Sequence, residues 1–96
     1  MAHKFDAVKV QEAVRSLPGW TADGDEALTR SLKFKDHIEA MGFVTRVAMA
    51  AEVMDHHPDL RIVYSTVDIR LNSHDAGGVT DRDVKLAGKI NELAPG

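Results

Sequence analysis

Asp55-His56-His57-Pro58, with His74 further on in Asn72-Ser73-His74-Asp75-Ala76-Gly77-Gly78-Val79-Thr80, holds three of the chain's five histidines. Imidazole, with an unperturbed pKa of roughly 6.5, donates and accepts protons near neutrality, so the cluster points to proton transfer or a metal. Adjacent histidines serve a metal poorly, because ligand pairs on one helix are spaced so that both rings face one point. General acid–base catalysis suits them better, since paired imidazoles near carboxylates can hold different protonation states and divide the two roles. A histidine at a helix C-terminus also complements the helix dipole, a benefit of about 0.3–1 kcal/mol that needs no catalysis. The nearby carboxylates are ambiguous in the same way. Glu52 and Asp55 fit a solvated helix end or a substrate edge, with Glu52 and His56 forming an i, i+4 pair on one helix face. Asp83 completes a capping box with Thr80 and so has a structural task whatever else it does.

These residues need elements to place them. From Asp6 to Leu17 apolar residues recur at helical spacing until Pro18-Gly19 ends the pattern. Trp20-Thr21-Ala22 and Ala27 to Phe34 read as strands around Asp23-Gly24-Asp25, with Arg30 on the otherwise apolar side of the second. Asp36 and Glu39 resemble a helix-opening box, and Met41, Val44, Ala48 and Ala51 form the expected buried stripe of a long helix reaching Met54. Pro58 ends that run and pushes His57 toward an extended conformation, so the histidines fall at a helix-to-strand corner. Leu60 to Tyr64 and Thr66 to Leu71 are the next strands, with Val67, Ile69 and Leu71 on one face and Asp68, Arg70 and Asn72 on the other. Val84, Ala87, Ile90 and Ala94 then mark a last helix. The fold class is α+β: a four-stranded antiparallel sheet with three helices packed on one face, in the order α-β-β-α-β-β-α. Its free edge strand invites self-association, and a homo-oligomer is expected.

Composition narrows the function. Ninety-six residues suit a single domain spanning 1–96, with one core and little room for a large enclosed site. A formal charge of −3 with interleaved signs leaves no basic stripe for direct nucleic-acid binding. Without cysteine there is no disulfide framework or thiolate chemistry, and no signal-like or membrane-length apolar run is visible, so a cytoplasmic protein without membrane contact is expected. Trp20 is read as core, and Gly77-Gly78 matches no phosphate-cradling pattern.

Together, Leu17-Pro18-Gly19-Trp20, Phe34-Lys35-Asp36, Gly42-Phe43-Val44-Thr45-Arg46-Val47-Ala48, Glu52-x-x-x-His56-His57-Pro58, Tyr64, Ser73-His74-Asp75-Ala76-Gly77-Gly78 and Asp83 resemble the pterin-4-alpha-carbinolamine dehydratase family. The resemblance implies dehydration of 4a-hydroxytetrahydropterin to quinonoid dihydropterin, which recycles the pterin cofactor of aromatic amino-acid hydroxylases, with no metal or organic cofactor. It implies His56, His57 and His74 as the catalytic set, with His57 and His74 nearest the reacting edge. It also implies Glu52, Asp55, Asn72, Ser73 and Asp83 as substrate-binding positions, Asp83 in addition orienting a histidine, and assembly as a dimer or a tetramer of dimers. Leu60 and His37 depart from aromatic residues common in the family. A binding module is the alternative, since animal members of the family also act as dimerisation cofactors for a homeodomain transcription factor.

Overall fold

The computed structural model describes residues 3–95. Asp6 caps α1 (Ala7–Arg15) by accepting from the Lys9 amide at 2.8 Å, and Pro18-Gly19 turns the chain into β1 (Thr21–Asp23) and β2 (Ala27–Lys33). α2 (His37–Met54) leads to the hairpin of β3 (Asp59–Val63) and β4 (Thr66–Leu71), and α3 (Asp81–Leu93) follows. The strands pair antiparallel in the order β1-β2-β4-β3, with Leu28 opposite Leu71, Leu32 opposite Val67 and Ile62 opposite Val67 on the far side. This is the expected α+β arrangement and element order.

Alternation in β2 and β4 sends Leu28, Leu32, Val67, Ile69 and Leu71 toward the helices, where they join Phe43, Val47, Leu86 and Ile90 in one apolar cluster. Ser31, Asp68 and Arg70 point to the uncovered face. Arg30, the exception noted in the sequence, does lie on the helix side of β2, opposite Ile69. Its guanidinium escapes the core by reaching Asn91 of α3, which also accepts from the Trp20 indole at 2.7 Å.

The buried face of α2 differs from the expected stripe. Ala40, Phe43, Val47 and Ala51 are buried, Val44 is partly buried, and Met41 and Ala48 face outward. The helix is apolar on both sides, with Ile38, Met49 and Val53 largely exposed, so apolar spacing alone does not select the face that packs. The opening of α2 is also only half of a capping box. Asp36 accepts from the Glu39 amide at 2.8 Å, but the Glu39 carboxylate reaches the amide of Lys35 rather than that of Asp36. His37 in the first turn holds the β3–β4 hairpin through the Tyr64 carbonyl, 2.5 Å from Nδ1.

Candidate active site

The site begins with the way α2 ends. Asp55 adopts φ 51° and ψ 42°, the left-handed region that aspartate tolerates better than most residues with a side chain. Its amide then donates to the Glu52 carbonyl and the His56 amide to the Ala51 carbonyl, both at 3.1 Å. This pair of bonds is a Schellman closure, which satisfies two carbonyls the helix would otherwise leave open. The left-handed residue swings the chain so that consecutive histidines leave in different directions. His56 turns inward and is 7% exposed, whereas His57 remains in solvent.

His56 meets the start of α3. Its Nε2 lies 2.5 Å from Oδ1 of Asp83, which is fully buried. The other carboxylate oxygen of Asp83 accepts from the Thr80 amide at 2.8 Å and from the Ser73 hydroxyl at 2.9 Å. The hydroxyls of Ser73 and Thr80 are 2.8 Å apart. With Oδ2 doubly supplied, Oδ1 requires a donor, so His56 carries its hydrogen on Nε2. The contact joins the C-terminal end of α2 to the N-terminal end of α3, where a carboxylate complements the helix dipole.

The second pair is exposed. His57 Nε2 lies 2.7 Å from Oε1 of Glu52, with side-chain exposures of 57% and 79%. Glu52 therefore pairs with His57 rather than with His56 at the expected i, i+4 spacing, because the turn at Asp55 breaks helical geometry before His56. His74 stands exposed on a loop closed by reciprocal backbone bonds between Ser73 and Gly78, at 2.8 and 3.3 Å. Arg82 donates to Asp75 at 2.6 Å across the same loop and holds that carboxyl below the usual aspartate range. Gly78 is the tight point, for a Cβ there would stand 2.5 Å from the Asp25 carbonyl oxygen.

The sequence-derived site residues thus separate into groups. His56, Asp83 and Ser73 form one buried network, and His57 and Glu52 one exposed pair. Asp55 is the exposed pivot between them, and Asn72 leaves β4 half-buried beside Ser73. The side chains of Ser73 and Asp83 are only 1% and 0% exposed and their hydrogen bonds face one another, Thr80 and His56. Both side chains are thus placed to hold His56. Thr80 and Arg82 were not read as site residues. Thr80 carried a signal in its capping box with Asp83, whereas no spacing rule pairs Arg82 with Asp75 across a loop. Among the described residues, no three or more histidine and carboxylate side chains converge as a metal site would require. Two cavities, of about 550 and 490 Å³, lie on the open sheet face and between Pro18 and α3, and the histidines line neither.

Comparison with known proteins agrees with this architecture. The family model described as pterin 4 alpha carbinolamine dehydratase matches residues 3–93. A protein of Koribacter versatilis provisionally named a pterin-4-alpha-carbinolamine dehydratase is 54% identical over 87 residues, covering 91% of this chain and 92% of its own. A relative from Afipia carboxidovorans with the same provisional name is 57% identical over 83 residues, covering 85% and 83%. Among solved structures, a transcriptional coactivator/pterin dehydratase from Brucella melitensis superimposes with a TM-score of 0.91 at 44% identity, covering 97% of this chain and all of its own. A pterin dehydratase-like protein identified as a RuBisCO assembly factor in the alpha-carboxysome shares the fold at 20% identity and a TM-score of 0.67, covering 79% and 89%. On the match across residues 3–93 and these identities, the chain belongs to the pterin-4-alpha-carbinolamine dehydratase family.

Proposed function

We propose that the protein removes water from 4a-hydroxytetrahydropterin to give the quinonoid dihydropterin, by general acid–base catalysis from its histidines. The observation that carries this reading is the division of the cluster: His56 locked on a buried carboxylate, His57 held by Glu52, and His74 raised on a closed loop. In the reaction the C4a–O bond breaks as a proton reaches the leaving hydroxyl, and N5 gives up a proton as the C4a–N5 double bond forms. His57 and His74, exposed and facing solvent, supply the donor and the acceptor. His56 is the third, supporting member, its ring fixed by Asp83 through Ser73 and Thr80. Asn72, Glu52 and Asp55 border the substrate, and the quinonoid product must be reduced by two electrons by a separate reductase before it serves an aromatic amino-acid hydroxylase again as pterin cofactor.

The working form is a homo-oligomer in the cytoplasm. The histidines line neither of the two cavities described above. β3 is a sheet edge and Ile38, Met49 and Val53 expose apolar surface along α2, as a chain that associates with copies of itself would. The same exposed helix residues favour a second reading, a protein-binding module acting as a dimerisation cofactor or transcriptional coactivator, in keeping with the coactivator named in the Brucella structure.

The test is the dehydration rate of chemically generated 4a-hydroxytetrahydropterin with wild-type protein, His57→Ala and His74→Ala, each with and without chelator. Each substitution is expected to slow the reaction by ~10²–10⁴-fold, with the fold intact and no effect of the chelator. No acceleration by folded wild-type protein would remove the enzymatic reading and leave the binding module.

A further inference from the structure

About 12 Å along α3 from Asp83, at 1.5 Å per residue to Asn91, lies a second polar centre that the histidine chemistry does not use. Arg30 rises from the apolar side of β2, half-buried, and its Nη1 donates to Asn91 Oδ1. Asn91 also accepts from Trp20 Nε1 at 2.7 Å and donates through Nδ2 to the Pro18 carbonyl at 3.1 Å, so both acceptor positions of its oxygen are taken. A half-buried cation ordinarily keeps an anionic partner, because desolvation otherwise opposes it. Yet among the described residues no carboxylate forms an ion pair with Arg30.

The space beside it is open. Arg30, Asn91, Gly19, Gly88, Pro18 and Ala94 border a cavity of about 490 Å³ between the turn that follows α1 and the second half of α3. Two glycines keep it clear. A Cβ on Gly19, which has φ +86°, would stand 2.7 Å from Arg30 Nε, so a side chain there would displace the guanidinium from its present position. Gly88 sits inside α3, where glycine is the poorest helix former after proline, and nothing lies within 4 Å of where its Cβ would be. Packing therefore gives no reason for glycine at this position, whereas a side chain would project over the cavity.

The geometry points to a binding site for a small carboxylate with an apolar body. The planar guanidinium, for which Asn91 is the one hydrogen-bond acceptor among the described residues, offers the fork that a carboxylate fits. Pro18 and Ala94 would cover the apolar part of the ligand. No acidic side chain lines the cavity to receive an ammonium group, which favours a simple carboxylate over an amino acid. This site is separate from the histidines and does not depend on the dehydratase reading.

Trp20, the chain's single tryptophan, is a built-in reporter, because its indole shares the Asn91 acceptor with Arg30. The experiment titrates full-length protein with benzoate and follows indole fluorescence and the Trp20 Nε1–H resonance, with benzamide as the uncharged control and inorganic phosphate as the competing anion. Expected is a saturable benzoate response in the low-millimolar range or tighter, none with benzamide, loss of the response in Arg30→Met, and at least roughly tenfold weaker binding in Gly88→Leu. A Cβ at position 88 meets nothing within 4 Å and Gly88→Leu improves helix propensity, so this variant carries the test if Arg30→Met does not fold. An absent benzoate response, an unchanged response in either folded variant, or a response to phosphate alone would overturn the proposal.

Discussion

Two histidine–carboxylate pairs of similar length stand a few residues apart, and burial alone predicts very different strengths for them. His56 and Asp83 are 2.5 Å apart with side-chain exposures of 8% and 0%, while His57 and Glu52 are 2.7 Å apart at 57% and 79%. A buried hydrogen bond to a charged group is worth about 1.5–3 kcal/mol, and removing one partner leaves the other desolvated and unsatisfied. Exposed ion pairs contribute about 0.2–1 kcal/mol and fade with salt. Double-mutant cycles on His56→Ala with Asp83→Asn, and on His57→Ala with Glu52→Gln, measured by denaturant unfolding at neutral pH, isolate each coupling. The expected values are about 2 kcal/mol for the buried pair and no more than about 0.5 kcal/mol for the exposed one. At about 4–8 °C per kcal/mol for a domain of this size, His56→Ala or Asp83→Asn alone should lower Tm by well over 8 °C. High salt should remove the exposed coupling and leave the buried one. Equal couplings, or a buried coupling abolished by salt, would refute the claim that Asp83 fixes His56 inside the protein.

Glycine positions provide a further contrast: Gly78→Ala drives a Cβ to 2.5 Å from the Asp25 carbonyl oxygen and should cost about 1–3 kcal/mol, whereas Gly88→Ala meets nothing within 4 Å and should gain about 1 kcal/mol by thermal melting. Asp55→Gly should keep the left-handed turn and the stability, while Asp55→Val should lose about 1–2 kcal/mol by denaturant unfolding, and equal stabilities would show that the turn does not require a left-handed residue. The Asp75 carboxyl, depressed by Arg82, gives stabilisation that is present above the ordinary aspartate pKa and lost as pH falls through its lower folded value. Carbon-detected NMR should therefore show Asp75 protonating below an ordinary aspartate and returning to the ordinary value in Arg82→Met; an ordinary value in the wild type would mean that Arg82 does not hold it.

Elements buried on one face were legible from sequence, and those apolar on both faces were not. In β4 the alternation of Val67, Ile69 and Leu71 with Asp68 and Arg70 fixed both strand and core face, because a one-residue slip would have exposed every apolar side chain. In α2 Met41 and Ala48 satisfy helical spacing as well as Phe43 and Val47 do, so the packed face was set by contacts with the sheet and α3 that no local pattern records. Arg30 was visible as an anomaly in β2, but its partner Asn91 is 61 residues away and nothing local identifies it.

The candidate site could be listed from the sequence as residues but not as an arrangement, and Asp55 shows why. Helical spacing assigns Glu52 to His56 only if the helix continues through residue 55. Once that residue turns left-handed, His56 crosses to α3 and Glu52 inherits His57. The capping box of α3 could be read from Thr80 and Asp83 alone. Yet the box occupies only one carboxylate oxygen, and the free one is what makes Asp83 a partner for a histidine 27 residues earlier. A local device for starting a helix thus becomes the anchor of the buried imidazole. Because Ser73 donates to the same carboxylate, the start of the loop bearing His74 is tied to the group that fixes His56. The Asp83 carboxylate is accordingly the point through which helix end, strand end and loop set the relative positions of the histidines, while His57 and His74 stay exposed.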